Sequence, residues 1–422
     1  MNPLIFLVRS LIHIKPGPDG ERRLEGKPTA MIDESVLNSA FVNSFARPVE
    51  VLIRAPGRVN LLGEHVDYND GVVLPVAIDR HVTVAAAATP DNVVSLQALD
   101  LGQSVSFSLE SLKTKQDVQG NPLPSWAKYP AGVAWSLGEA GLNVTGLQAA
   151  YTSSVPIGSG LSSSAAVEVA FAATWRALGG WELDNLRLAQ LCLQAEKGYV
   201  GLICGLMDQF ASACGVEGHV LVFDTRSLEW STAALPPGSA IVVADSGVRR
   251  SLANSAYNER HAACEQAVEL LRKYKPELQS LREISTVEFA AYGDFLPEVV
   301  RMRAEHVVQE IYRVERGVSA LHNEDAKVFG GIMFAGHRSL RDLYQVSTPE
   351  LDALVETARG LPGIYGARLT GAGFGGCTVN LIEADRADSF IEGLVQGYRE
   401  KTGKEAKVYL CRASAGVQAK RL

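Results

Sequence analysis

A stretch long and apolar enough to cross a bilayer is missing from this sequence. The most apolar candidate, near Val72 to Ala88, contains Asp79, Arg80 and His81, whereas a spanning helix needs roughly 20 apolar residues; no membrane partner is expected. An excess of positive charge is missing too. Forty Lys plus Arg against 47 Asp plus Glu leave a net charge of −7, which repels a phosphodiester backbone, so nucleic acid is not an expected partner. Cysteine is sparse: Cys192, Cys204, Cys214, Cys264, Cys377 and Cys411 form no CxxC pair and no ladder of metal ligands. A chain of this length needs no disulfides to hold it, and a reducing cytoplasm is the expected location. No repeat of solenoid or propeller type is apparent. The apolar run PLIFLV at the start has no preceding positive charge, is ended by Arg9 and is followed by no small-residue cleavage site, so it does not read as a signal peptide.

What is present describes an ordinary folded chain. Of 422 residues, 47% are hydrophobic and 21% charged, and this length suits two or three domains with sizeable cores. Residues 15 to 30 (KPGPDGERRLEGKPTA) are rich in Pro, Gly and charge without apolar period, so residues 1–30 are expected to form a disordered extension ahead of a folded part starting near Met31. From Val49 the runs VEVLIRA, VTVAAAA and VVSLQAL predict strands of a mixed sheet. SSSAAVEVAFAATWR, Ser162 to Arg176, predicts a helix buried inside a domain, and a second is expected from Asp184 to Val200 with Asp184 as its N-cap. The LPPG sequence at Leu235 to Gly238 interrupts the chain before the strand-like SAIVVADSG. Two α+β domains are therefore expected, at residues 31–238 and 239–422, the second with helical periodicity over Asn254 to Tyr274 and Thr286 to Gly317.

Four stretches carry candidate chemistry. In PIGSGLSSSA, Pro156 to Ala165, two glycines and a run of hydroxyls lead into the buried helix. Unpaired N–H groups at such a helix start make an anion cradle, the alternative being a serine-rich helix cap. This is not a Walker A loop: no GKS or GKT occurs, and the HRD and DFG signatures of protein kinases are missing. TGAGFGG, Thr370 to Gly376, matches GxGxxG in letters, but the strand-like CTVNLI follows it, so a tight turn beside a ligand is the better reading than a dinucleotide fold. APGRVNLLGEHVDYNDGVVLPVAID, Ala55 to Asp79, gathers Arg58, Glu64, His65, Asp67, Tyr68, Asn69 and Asp70 at a density a core strand would not tolerate. It suits either a loop that binds a polyhydroxylated ligand or a solvated, charged turn. Asp208, in GLMDQF, stands among Leu206, Met207 and Phe210; an ionised carboxylate there needs a cation partner, in a buried salt bridge or an active site.

Together GRVNLLGEHVDYNDGVVLP, PIGSGLSSSAAVEVA and TGAGFGG, in this order and at these separations, resemble the three signatures of the GHMP small-molecule kinases, the first in the form of the galactokinase branch. The similarity runs through CGLMDQF and VRRSLANSAYNER and covers nearly everything from about Ala46 onward. What the resemblance implies is an α+β fold of two domains, the N-terminal one ribosomal S5 domain 2-like and the C-terminal one ferredoxin-like, with the site in the cleft between them. The implied reaction is phosphorylation of D-galactose by ATP at the anomeric hydroxyl. Asp208 would be the base for that hydroxyl and Arg58 its transition-state partner. Glu64, His65, Asp67, Gly205 and Tyr257 would hold the sugar. Gly158, Ser159, Gly160, Leu161, Ser162, Ser163, Ser164 and Ala165 would wrap the phosphates, with Mg²⁺ on Ser164 and Glu196. The WAKY stretch resembles the family segment near the nucleotide base, so Trp126 and Tyr129 would lie beside adenine, unless they are core aromatics. Val66 stands where many members carry Thr. Other readings within the resemblance are an N-acetylgalactosamine or arabinose kinase and a non-catalytic galactose and ATP sensor, the last disfavoured by the intact SSSAA. A monomer or weak dimer is expected.

Overall fold

The structure, a computed structural model, describes residues 34–249 and 253–422. The expected N-terminal extension, residues 1–30, lies outside the described residues. In chain order, helix α1 (Glu34–Phe45) leads into β1 (Val51–Asn60), β2 (Val72–Val73), β3 (Pro75–Thr89), β4 (Val93–Ala98) and β5 (Gln103–Ser108). Helix α2 (Lys128–Glu139), β6 (Gly146–Ser153), α3 (Ser163–Gly179), α4 (Asn185–Gln194) and α5 (Met207–Cys214) follow. Next come β7 (His219–Asp224), β8 (Trp230–Ala234) and β9 (Ser239–Asp245). The rest is α6 (Ala253–Leu271), α7 (Thr286–Tyr292), α8 (Glu298–His322), α9 (Ala326–Ser339), α10 (Pro349–Arg359), β10 (Ile364–Thr370), β11 (Cys377–Glu383), α11 (Ala387–Thr402), β12 (Lys407–Cys411) and β13 (Gln418–Arg421).

The first sheet has six strands in the order β13-β1-β3-β6-β4-β5. It is mixed, as the sequence predicts: β4 runs parallel to β6 and the other pairings are antiparallel. Nine of the ten residues of β1 are buried, because both of its faces are covered. Leu37 and Phe41 of α1 pack with Leu52 on one side, and Ala166, Val169 and Ala170 of α3 pack with Val51 and Ile53 on the other. Small side chains let α3 lie close to the sheet, and Ala165 to Ala173 are buried almost throughout. The second sheet, β10-β11-β9-β12, is antiparallel. Its core continues into α10 and α11 through Val242, Leu354, Phe390 and Tyr398. A third sheet, β2-β7-β8, ties the segment after β1 to the middle of the chain.

Two local departures from the sequence reading matter for the site. Arg58, whose stretch reads as too polar for a core strand, lies in β1 together with Asn60, and the two are 4% and 0% exposed. Their partners, described below, remove the desolvation cost that argued against a strand. The helix expected from Asp184 to Val200 does begin on an Asp184 cap, whose carboxylate accepts from the Arg187 N–H at 2.8 Å. It ends at Gln194, and residues Ala195–Val200 widen into a π-helical turn. Such wide turns reposition side chains within a helix, and Glu196 sits in this one.

Candidate active site

Pro56 is still in register with His81, and the pairing of β1 with β3 shifts between Pro56 and Arg58. At that shift the glycine loop reaches the strand: the Arg58 N–H donates to the Leu161 carbonyl at 3.1 Å. A methyl group on Gly57 would stand 2.7 Å from the same carbonyl oxygen, so only glycine admits the contact. Arg58 then turns its guanidinium inward. Nε and Nη2 lie 2.8 and 2.7 Å from Asp208 Oδ1, and Nη1 donates to the Gly160 carbonyl at 2.6 Å. The second oxygen of Asp208 accepts from Ser162 Oγ at 2.5 Å. One carboxylate, at the start of α5, thus joins the strand to the loop.

Ser162 adopts a left-handed backbone, φ 59°, an uncommon choice for a residue with a side chain. Its side chain does not cap α3, because the hydroxyl is spent on Asp208. This removes the helix-cap alternative for that serine and leaves the start of a 17-residue helix without a side-chain cap, the arrangement that favours an anion. The sequence reading passed over Arg249. Its carbon chain lies against the loop, with Cδ 3.4 Å from where a Gly158 Cβ would be, and its guanidinium is held by both oxygens of Asp245 at 2.7 Å.

Beyond β1 the chain turns through Glu64 and His65, which are 1% and 4% exposed. Glu64 accepts from the Gly371 N–H at 2.8 Å and from Asn60 Nδ2. Burial nevertheless pushes its carboxyl up to about 7, against the pull of Arg368, that N–H and Arg58. His65 Nε2 is 3.2 Å from the Ala372 carbonyl and Nδ1 is 2.8 Å from the Tyr68 hydroxyl. A carbonyl only accepts, so Nε2 carries the proton. Gly371 and Ala372 belong to TGAGFGG, which connects β10 to β11. The cluster is a tight turn beside the site, as the sequence reading preferred. Asp67 is raised to about 6 by burial and then by Asp208. A Cβ on Gly205 would stand 1.9 Å from Asp67 Oδ2. Tyr257, on α6, brings its ring to 5.6 Å from that of His65.

Arg58, Glu64, His65, Asp67, Glu196, Gly205, Asp208 and Tyr257 line one cavity of about 290 Å³. The glycine loop is bonded to two of these residues, Gly160 to Arg58 and Ser162 to Asp208. Ser164 hydrogen-bonds Glu196, whose carboxyl is raised by burial first. Tyr129 is pushed up to about 12 by burial and then by Glu196 and Glu168, and so stands beside the same acids. Tyr129 is not part of the cavity wall, and neither is Trp126. Trp126 donates to Gln103 Oε1 at 2.7 Å and its ring lies 6.0 Å from that of Tyr151. Val66 is fully buried, under the position a Gly71 side chain would take, and does not line the cavity either.

The model of the galactokinase galactose-binding signature matches residues 39–88, that of the GHMP kinases N terminal domain residues 128–216, and that of the GHMP kinases C terminal residues 318–400. The galactokinase of Roseiflexus sp. (strain RS-1) is 44% identical over 387 residues, covering 92% of this chain and 97% of that one. The chain belongs to the galactokinase family. The galactokinase of Homo sapiens is 42% identical over 90% of this chain and 94% of its own. The crystal structure of Lactococcus lactis galactokinase complexed with galactose superposes with a TM-score of 0.86 at 33% identity, covering 92% of this chain and all of that one. The α+β GHMP kinase fold and the kinase activity expected from the motifs are thereby established for this family member. Among the described residues no helix is long and apolar enough to cross a membrane.

The sequence reading missed Gln209 and Glu168. Gln209 follows Asp208 directly, and Glu168 lies four residues after Ser164, one helical turn along the same face of α3. Both lay inside quoted motifs, and helical spacing was the available signal.

Proposed function

We infer that this chain catalyses phosphorylation of D-galactose by ATP at the anomeric hydroxyl, releasing galactose 1-phosphate and ADP. The observation that carries the reading is the Arg58–Asp208–Ser162 junction, at 2.7 and 2.5 Å, whose Arg58 and Asp208 line the same cavity as Glu64, His65 and Asp67. Asp208 accepts and orients the proton of the attacking hydroxyl. Arg58, already bonded to it, neutralises charge that builds on the transferring group. Glu64, Asp67, the His65 ring, Gly205 and Tyr257 hold the sugar. The N–H groups of Gly158 to Ala165 hold the phosphates, and Arg249 lies over that loop to balance their charge. We place Tyr129 at the nucleotide base. Trp126 is assigned a packing role on the Gln103 and Tyr151 contacts.

Among the described residues no group of three or more His, Cys, Asp or Glu side chains could by itself hold a metal ion. The acids beside Ser164 nevertheless fit Mg²⁺. Glu196 and Glu168 face each other's charge, and Glu168 Oε1 and Gln209 Oε1 are buried without a hydrogen-bond donor. Such a site is short of positive charge and of donors, and a hydrated divalent cation supplies both. Ser164 and Glu196 would hold it, and when bound it screens the phosphate oxygens. Six free cysteines, five of them buried, suit a reducing cytoplasm, and we take the protein to act as a monomer or weak dimer. The division between its two lobes is placed at Gly238.

A coupled ADP-release assay with Mg-ATP, offering D-galactose, N-acetylgalactosamine, D-glucose and L-arabinose in parallel, tests the reading. Release with galactose is the expected result. Tight galactose binding with no ADP from any sugar would overturn it.

A further inference from the structure

Gln209 is fully buried on α5 and does not itself line the cavity, although its neighbour Glu196 does. Its side-chain nitrogen lies 2.9 Å from Glu168 Oε2 and 2.7 Å from Glu196 Oε2. An amide nitrogen donates and a carboxylate oxygen accepts, so the amide spends its two N–H bonds one on each acid. The three residues come from three elements. Glu168 stands on α3, one turn past the phosphate loop; Glu196 stands in the wide turn after α4; Gln209 stands on α5, next to Asp208. Glu196 Oε2 also accepts from Cys204 Sγ at 3.0 Å, but a thiol is the weaker donor. Without the amide, two carboxylates would face each other in a dry pocket, and repulsion would turn Glu196 away from its neighbour.

We propose that Gln209 is a positioning residue for the metal carboxylate: its amide, clamped between Glu168 and Glu196, fixes Glu196 toward the cation and so sets the divalent-metal affinity of the enzyme–nucleotide complex without touching the sugar. The proposal rests on Glu196 being a metal ligand, as assigned above. The clamp is an outer-layer partner of the kind that orients a ligating carboxylate, and loss of such a partner costs about 10- to 100-fold in metal affinity. It also ties the metal carboxylate to the helix that carries Asp208, so that the two sides of the reaction centre share one rigid support.

The test uses the full-length protein with ADP and Mn²⁺ as the probe, the free Mn²⁺ being read by its electron paramagnetic resonance signal, and D-galactose binding read separately by calorimetry without nucleotide. Gln209→Met keeps the volume and removes both donors. Its Mn²⁺ affinity in the ternary complex is expected to fall about 10-fold or more, with galactose affinity within about twofold of wild type, a split that general loosening of the fold would not give. Should Gln209→Met not fold, Gln209→Asn, one methylene too short to reach both acids, is expected to give the same split. Wild-type Mn²⁺ affinity in a folded variant, or equal losses for metal and sugar, would overturn the clamp. Failure of the wild-type enzyme with ADP to bind Mn²⁺ would instead overturn the metal assignment on which it rests.

Discussion

The Arg58 guanidinium has two partners, and removes a different freedom from each: Asp208 loses rotation, and the Gly160 peptide is pinned to the strand. The Asp208 carboxylate is therefore held in place rather than mobile, as the acceptor role proposed for it requires. Asp208→Asn keeps the shape and loses the proton acceptor, so kcat is expected to fall about 10²-fold or more; turnover near wild type in the ADP-release assay would remove Asp208 from its role. Glu64 behaves differently. Burial lifts its carboxyl to about 7, above its value in the unfolded chain, which is about 4.3. Between those values the folded protein keeps a proton that the unfolded chain has released, so the contribution of Glu64 to stability is present at low pH and is lost as the pH rises through about 7. Glu64→Gln removes this dependence. Its unfolding temperature relative to wild type is expected to be higher at pH 8 than at pH 5, and a difference that does not change between those pH values would show the carboxyl to be ordinary. Asp67, at about 6, follows the same sign over a lower window.

At the scale of elements, the glycine loop proposed to hold the phosphates is placed by a strand irregularity. The register shift after Pro56 opens β1 so that the Arg58 N–H reaches the Leu161 carbonyl, and Gly57 leaves room for the approach. A methyl group at Gly57 must push the loop backbone away, since a peptide carbonyl has no soft direction in which to give. Gly57→Ala is expected to raise KM for ATP about 10-fold, an estimate from about 1–3 kcal/mol of overpacking strain, with a smaller change in KM for galactose, whose contacts lie beyond Asn60. Steady-state kinetics with each substrate varied in turn reads this directly, and equal effects on both would refute the link between the irregularity and the loop. The π-helical turn at Ala195–Val200 has a similar use, since it breaks the α4 ladder where Glu196 must reach Ser164 of α3 and Gln209 of α5.

Across the whole molecule, the site is assembled from segments far apart in the chain, and buried polar groups hold them in register. Arg368 of β10 and Glu310 of α8, each 0% exposed, pair at 2.7 Å. Glu310 also takes Arg313 at 2.6 Å and the Gly63 N–H at 2.9 Å. Burial alone would raise the Glu310 carboxyl, but the two arginines together hold it well below the ordinary range. The pair thus tethers the start of the sugar turn to the second half of the chain, while β13, the last strand, pairs with β1. Arg368→Met leaves that buried charge half-paired and is expected to cost about 3–5 kcal/mol in urea unfolding; a loss below about 1 kcal/mol would show that Arg313 alone suffices. The sequence by itself determined the family, the reaction and the order of motifs, because close backbone approach, anion binding and carboxylate chemistry each demand particular residue types at short spacing. Strands, the buried helix and the Asp184 cap were legible for the same local reason. Only the tertiary structure decided that Arg58 and Asn60 lie inside a buried strand, that Trp126 stands outside the cavity, and that Gln209, Glu310 and Arg368 support it. Those outcomes depend on partners tens to hundreds of residues away, whose hydrogen bonds reverse the cost of burying a polar side chain, and no local pattern records them.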